Sequence, residues 1–142
     1  MLGARGANSM KTVLFACVHN AGRSQMAAAF FSGMADPTLA RATSAGTEPA
    51  TTVHPEVVAT MAELDLDLGR APLRKLTPEL ARGVHLMVTM GCGEACPAVP
   101  GLRVVDWSIE DPKGRSAGEV RRIRDEIRER VRALIVSEGW GE

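Results

Sequence analysis

Neither sign of charge is in excess in this 142-residue chain: 17 lysines and arginines face 17 aspartates and glutamates. No global field therefore draws it to nucleic acid or to an anionic membrane. Long apolar runs are also missing. The longest stretch without a charged residue, Ser24 to Ala35, has 12 residues, whereas a membrane-spanning helix needs about 20. Residues 1–9, MLGARGANS, lack the apolar core of a secretion signal. They read as a flexible extension ahead of a single domain over residues 10–142, and the expected location is the cytoplasm. Cysteine is scarce, with three in all. In a reducing compartment such thiols serve reactivity or metal binding before they serve structural disulfides. Tyrosine is absent altogether. No internal repeat or low-complexity segment occurs.

What is present alternates between strand and helix. Met10 to Ala16 reads as a strand and Gln25 to Phe31 as a helix. Asp36-Pro37 breaks the pattern, and Leu39 to Ser44 reads as a second strand. His54-Pro55-Glu56 starts a helix, with proline tolerated at its first position. Val57, Val58, Met61, Leu64 and Leu68 recur along it at helical spacing, and Gly69 to Leu73 is expected to end it. A short helix runs from Thr77-Pro78-Glu79 to Gly83. Val84 to Met90 is a near-continuous apolar run, as in a strand buried on both faces. A loop, Gly91 to Gly101, leads to a strand at Leu102 to Asp106. The last helix, about Ser116 to Ser137, carries a stripe of Val120, Ile123, Ile127, Val131, Leu134 and Ile135, with arginines and carboxylates opposite. This order predicts an α/β fold: an open, parallel, four-stranded sheet with helices on both faces, in three layers. Ligands of such sheets bind beyond the carboxyl ends of the strands.

At one such end lies the run CVHNAGRS, residues 17–24. Backbone N–H groups of a tight turn and a helix start converge to suit a tetrahedral anion. Val18, His19, Asn20, Ala21, Gly22, Arg23 and Ser24 are the candidate oxyanion-binding residues. Gly22 is expected to allow conformations that a side chain forbids. Arg23 supplies a planar, bidentate clamp. The same positive field favours the thiolate of Cys17, the candidate nucleophile, and Ser24 can donate to that sulfur or cap the helix.

A nucleophilic thiol acting on an oxyanion also needs a proton donor for the departing oxygen. The run DWSIEDP, residues 106–112, offers Asp106, Glu110 and Asp111 at the same sheet end. Asp111 is the preferred donor, because Pro112 stiffens the chain beside it and it lies farthest from the strand. Asp106 is expected to close the strand, and Glu110 to face water. Cys92 and Cys96 stand in MGCGEACPAVPG with three residues between them. Three readings of this pair stand: zinc ligation, two inert loop thiols, and a redox relay. Zinc usually takes four ligands, and His19, His54 and His85 show no ligand spacing relative to one another. A relay has to meet disulfide geometry, with Cβ atoms roughly 3.8 Å apart, whereas residues four apart on a helical turn hold them roughly 5–6 Å apart. It would need local rearrangement, which Gly91 and Gly93 make less costly.

Together, CVHNAGRSQMAAAF, SAGTEPA, VTMGCGEACP and DWSIEDPKG resemble the arsenate reductases built on the low-molecular-weight protein tyrosine phosphatase fold, over about Met10 to Val136. The resemblance implies that Cys17 attacks arsenate held by the turn and Arg23, with Asp111 protonating the leaving oxygen. It further implies a disulfide cascade from Cys17–Cys92 to Cys92–Cys96, with thioredoxin or a similar thiol reductant as partner and electron source. It implies no bound cofactor or metal, and phosphate as a competing anion. In the best-known thioredoxin-coupled relatives the second and third cysteines are farther apart than here. The tyrosine phosphatases usually have a tyrosine near the general acid, which this chain lacks. A phosphatase acting on phosphotyrosine or small phosphate esters is the alternative expectation. A non-catalytic oxyanion-binding module is the third.

Overall fold

Strand β1, Lys11–Cys17, is the centre around which the other elements assemble. From Val13 to Cys17 every residue is buried, as an apolar run flanked by strands on both edges and covered on both faces must be. It pairs in parallel with β2, Ala40–Gly46, on one side and with β3, Leu86–Thr89, on the other. β4, Arg103–Asp106, pairs with β3, giving a four-stranded parallel sheet in the order β2-β1-β3-β4. The computed structural model describes residues 10–91 and 99–141. The expected extension, residues 1–9, and both Cys92 and Cys96 lie outside the described residues.

The period of two along β1 sorts its side chains between two apolar layers. Val13, Phe15 and Cys17 face helices α1, Arg23–Met34, α2, Pro55–Ala62, and α4, Ala117–Glu138. Leu14 and Ala16 face the other way, onto Leu76 and onto Ala81 of α3, Pro78–Arg82. The fold is thus the open α/β sheet with helices on both faces that the alternation of elements implies. Phe15, Phe31, Trp107 and Trp140 form an aromatic chain through the larger layer, each contact with centroids 5.9 Å apart. Among the described residues no helix is long and apolar enough to cross a membrane.

Helix limits follow local chemistry. In α4, Ser116 accepts from the Glu119 N–H while Glu119 reaches back to the Ser116 N–H, a reciprocal cap. Gly139, at φ 73°, ends the helix. All six residues of its expected apolar stripe are buried. Arg124 departs from the expectation that the arginines lie opposite, because it is buried too. Its guanidinium is satisfied there by Thr60 O at 2.8 Å and Glu63 Oε1 at 2.8 Å, at the carboxyl end of α2, where a cation complements the helix dipole.

Helix α2 is shorter than its apolar spacing suggests, stopping at Ala62 rather than near Leu68. The Asp65 N–H donates to Ala62 O and the Leu66 N–H to Met61 O, with Asp65 left-handed at φ 62°. That is a Schellman ending with aspartate where glycine usually stands. Leu68 still reaches the core, from the loop that follows.

Glu63, beside this ending, accepts hydrogen bonds from Arg121 and Arg124 of α4, which lower its pKa to about 2 from an ordinary 4.5. A carboxylate depressed in the folded state stabilises above its unfolded pKa and loses that effect as acid is added. Glu63→Gln should therefore lower the urea midpoint at neutral pH. The gap from the parent protein should close as pH falls from about 4.5 towards about 2.

Candidate active site

Five carbonyls along the segment after β1 are tied down by neighbouring chain. Cys17 O accepts from Thr47 N, Val18 O from Glu48 N and His19 O from Ala50 N; Ala21 O accepts from His54 N and Gly22 O from Met26 N. A trans peptide points its C=O and the following N–H in opposite directions, and no cis peptide occurs among the described residues. Each tethered carbonyl therefore turns the next N–H, of Val18, His19, Asn20, Gly22 or Arg23, away from that tether. Among the described residues none of the backbone N–H groups from Val18 to Ser24 has a protein acceptor. A row of unengaged donors at a helix start is suited to an anion.

The Cys17 thiol lies at the base of this loop, 2% exposed. Its Sγ is 2.9 Å from Ser24 Oγ. Asn20 Nδ2 donates to the same hydroxyl at 2.8 Å, while Asn20 Oδ1 accepts from the Arg74 N–H at 3.0 Å. Ser24 Oγ accepts from Asn20 and keeps its single O–H proton available to the sulfur, and either atom of the Cys17–Ser24 pair can be the donor.

Asn20 is also the left-handed residue of the turn, at φ 53°, and asparagine tolerates that conformation better than most side chains. Gly22 has φ −145° and ψ −91°, a pair outside the main regions populated by residues with a Cβ, as expected of it. Gly22 gives room for close packing: a Cβ there would stand 3.0 Å from Pro112 Cγ and 3.5 Å from the His54 ring. Gly46 is a second close approach, which spacing alone did not single out. A Cβ on it would lie 2.6 Å from Val18 O and 2.7 Å from Asn20 N.

Arg23 opens α1 and is 8% exposed. Its Nη1 donates to Ile109 O at 3.1 Å, and its Nη2 stands 3.8 Å from Asp111 Oδ2. The 106–112 segment thus meets the 18–24 loop at two points, through this guanidinium and through Pro112 on Gly22. Asp111 is half-exposed, with Oδ1 accepting from the Lys113 N–H at 3.0 Å. Asp106 is engaged elsewhere, accepting from Thr89 Oγ1 at 2.6 Å. Glu110 is on the surface, where it pairs with Arg115 and Arg122.

Two histidines border the loop, with ring centroids 6.4 Å apart. His19 donates from Nδ1 to Glu48 O at 3.1 Å. His54 holds the N-cap position of α2 through its backbone, with no side-chain cap. Burial pushes its imidazole pKa down, against the fields of Glu56 and Asp111. Glu56 secures the next turn by accepting from the Gly114 N–H at 2.9 Å. His85 stands apart, edge-on to Trp140 just before β3. Among the described residues no three His, Cys, Asp or Glu side chains gather as a metal-ligand group.

Because the atoms facing Gly46 are backbone, a side chain there has to displace the loop itself. Gly46→Ala should abolish the ability of phosphate to protect Cys17 from iodoacetamide. Gly33→Ala, at a position in α1 with open space around it, should leave that protection intact.

Residues 12–138 match the family model of low molecular weight phosphotyrosine protein phosphatase. A thioredoxin-dependent arsenate reductase of Corynebacterium glutamicum superposes with TM-score 0.79 at 36% identity; the match covers 95% of this chain and 65% of that one, just under two thirds of its length. An arsenate reductase of Archaeoglobus fulgidus gives TM-score 0.75 at 37% identity, covering 87% of this chain and 98% of that one. A glutaredoxin arsenate reductase of Synechocystis is 33% identical over 129 residues, which are 89% of this chain and 97% of that protein. With a family match over most of its length and relatives of this closeness, the chain belongs to the low molecular weight phosphotyrosine protein phosphatase family, in its arsenate reductase branch.

Proposed function

We propose that this protein reduces arsenate to arsenite, with electrons from a dithiol reductant. The observation that carries the reading is the row of backbone N–H groups from Val18 to Ser24 that have no acceptor among the described residues. They lie on the segment that joins Cys17 to Arg23, with Asp111 beside Arg23. In the first step the Cys17 thiolate attacks arsenic(V). A sulfur–arsenic bond forms while an arsenate oxygen departs as water, its proton supplied by Asp111. In the second, the Cys92 thiolate attacks the Cys17 sulfur. The electron pair of the sulfur–arsenic bond passes to arsenic, which leaves as arsenite, and a Cys17–Cys92 disulfide remains. In the third, Cys96 attacks Cys92 and releases the Cys17 thiolate, leaving Cys92–Cys96 for the external dithiol to reduce. One arsenic is reduced by two electrons and one pair of thiols is oxidised.

The names of the relatives include a thioredoxin-dependent and a glutaredoxin arsenate reductase. We take thioredoxin as the first candidate donor, and a reducing cytoplasm as the compartment in which such a cycle runs. The single domain is assigned to residues 10–142. Phosphate shares the charge and shape of arsenate and should compete for the loop.

Cys17→Ser, Cys92→Ser and Cys96→Ser should each end multi-turnover arsenate reduction coupled to thioredoxin. Full turnover by Cys92→Ser would exclude the cascade, and loss confined to Cys17, Arg23 and Asp111 variants would point to phosphatase chemistry. Mass spectrometry after one turnover without reductant should find two thiols fewer, with residues 17 and 92 joined in Cys96→Ser. Asp111→Asn should slow the first step about a hundredfold or more, the usual contribution of a general acid.

A further inference from the structure

Arg23 touches one more segment besides the anion loop and the 106–112 loop. Gly91, at φ +89°, lies directly against its guanidinium. A Cβ built on Gly91 would stand 2.5 Å from Arg23 Nη1, 3.2 Å from Cζ and 3.3 Å from Nη2. Such a clash usually costs little when the neighbour is the tip of a flexible, exposed side chain. Here that tip is buried, and Ile109 O and Asp111 lie on it. It cannot yield to Gly91 without leaving the place from which it would clamp an oxyanion.

We infer that Gly91 is a positioning residue for the oxyanion clamp: the space left by its missing side chain is the seat of the Arg23 guanidinium. The inference rests on the reading of the 17–24 loop as an oxyanion site. Its consequence is a division of effects. A side chain at 91 weakens anion binding through Arg23, beyond what the left-handed backbone alone would cause. Gly91 directly precedes Cys92 in the chain, so the residue that seats the guanidinium also begins the segment carrying the second thiol.

The fold contains its own control. Gly101, at φ +80°, has nearly the same positive φ as Gly91 with open space around it. Gly91→Ala and Gly101→Ala therefore impose similar backbone strain, and only the first meets Arg23. Binding of inorganic phosphate to the reduced full-length protein is measured by calorimetry, with melting temperature alongside. Gly91→Ala should weaken phosphate about tenfold or more, the factor lost with one hydrogen bond to a charged group. Gly101→Ala should leave it unchanged, with a comparable fall in melting temperature. Gly91→Asn, a side chain that tolerates positive φ, should weaken phosphate as alanine does and keeps the test open if Gly91→Ala folds poorly.

The decisive measurement is the double-mutant cycle with Arg23→Met. Once the guanidinium is gone, Gly91→Ala should add no further loss of phosphate affinity. An equal loss in both backgrounds, or an equal loss from Gly101→Ala, would overturn the inference and leave the oxyanion reading standing. Failure of phosphate to bind the parent protein, or indifference of binding to Arg23→Met alone, would instead overturn the reading on which it rests.

Discussion

The site depends on the anchoring of one short loop by its carbonyls. Thr47, Glu48 and Ala50, from the segment after β2, and His54, at the start of α2, donate to the carbonyls of Cys17, Val18, His19 and Ala21. Since each peptide is a rigid plane, holding one side of it directs the other. The N–H groups of the loop are therefore oriented in advance, and on the proposed reading before any anion arrives. Donors set in advance do not have to reorganise during reaction, which is why such arrays are effective at developing charge. The parallel register that places Cys17 beside Gly46 brings these segments into range.

Around that loop the structure gathers groups that are far apart in the chain. Arg23 is the point of contact. It belongs to the loop by sequence, receives the 106–112 segment at Ile109 O and Asp111, and packs on Gly91. Asn20 does the same on the other side, joining Ser24 to the Arg74 backbone. Among the described residues the loop shows no feature that would separate arsenate from phosphate, since the two anions share shape and charge. On the reading proposed, what makes the chemistry a reduction is the supply of further thiols next to the loop. The absence of tyrosine in the chain is in keeping with that emphasis.

The places where expectation and structure part have a common cause. The apolar spacing through Leu68 suggested a longer α2, but spacing reports which residues reach the core and not whether they do so from a helix. Asp65, taking the left-handed position usually given to glycine, ends α2 with little warning. Arg124 sits among buried residues because Thr60 O and Glu63 satisfy it, and these partners come from another helix. Gly22 takes the unusual backbone expected of it, and its smallness also matters towards Pro112 and His54, which no local rule could reveal.

The candidate nucleophile, the candidate clamp and the start of the helix lie within eight consecutive residues, so the sequence alone identified Cys17, Arg23 and Ser24 as one local unit. It also determined the α/β alternation and the apolar stripe of α4, since hydrophobic period and turn chemistry are local properties. Tertiary structure decided which carboxylate faces the cradle. Asp106 is held by Thr89, Glu110 by Arg115 and Arg122, and Asp111 is left beside Arg23. It likewise decided that Gly46 and Gly91 have to be small, because the atoms that would meet their side chains arrive from the loop after β1 and from the start of α1. Distances of that kind arise only when segments remote in sequence are packed together.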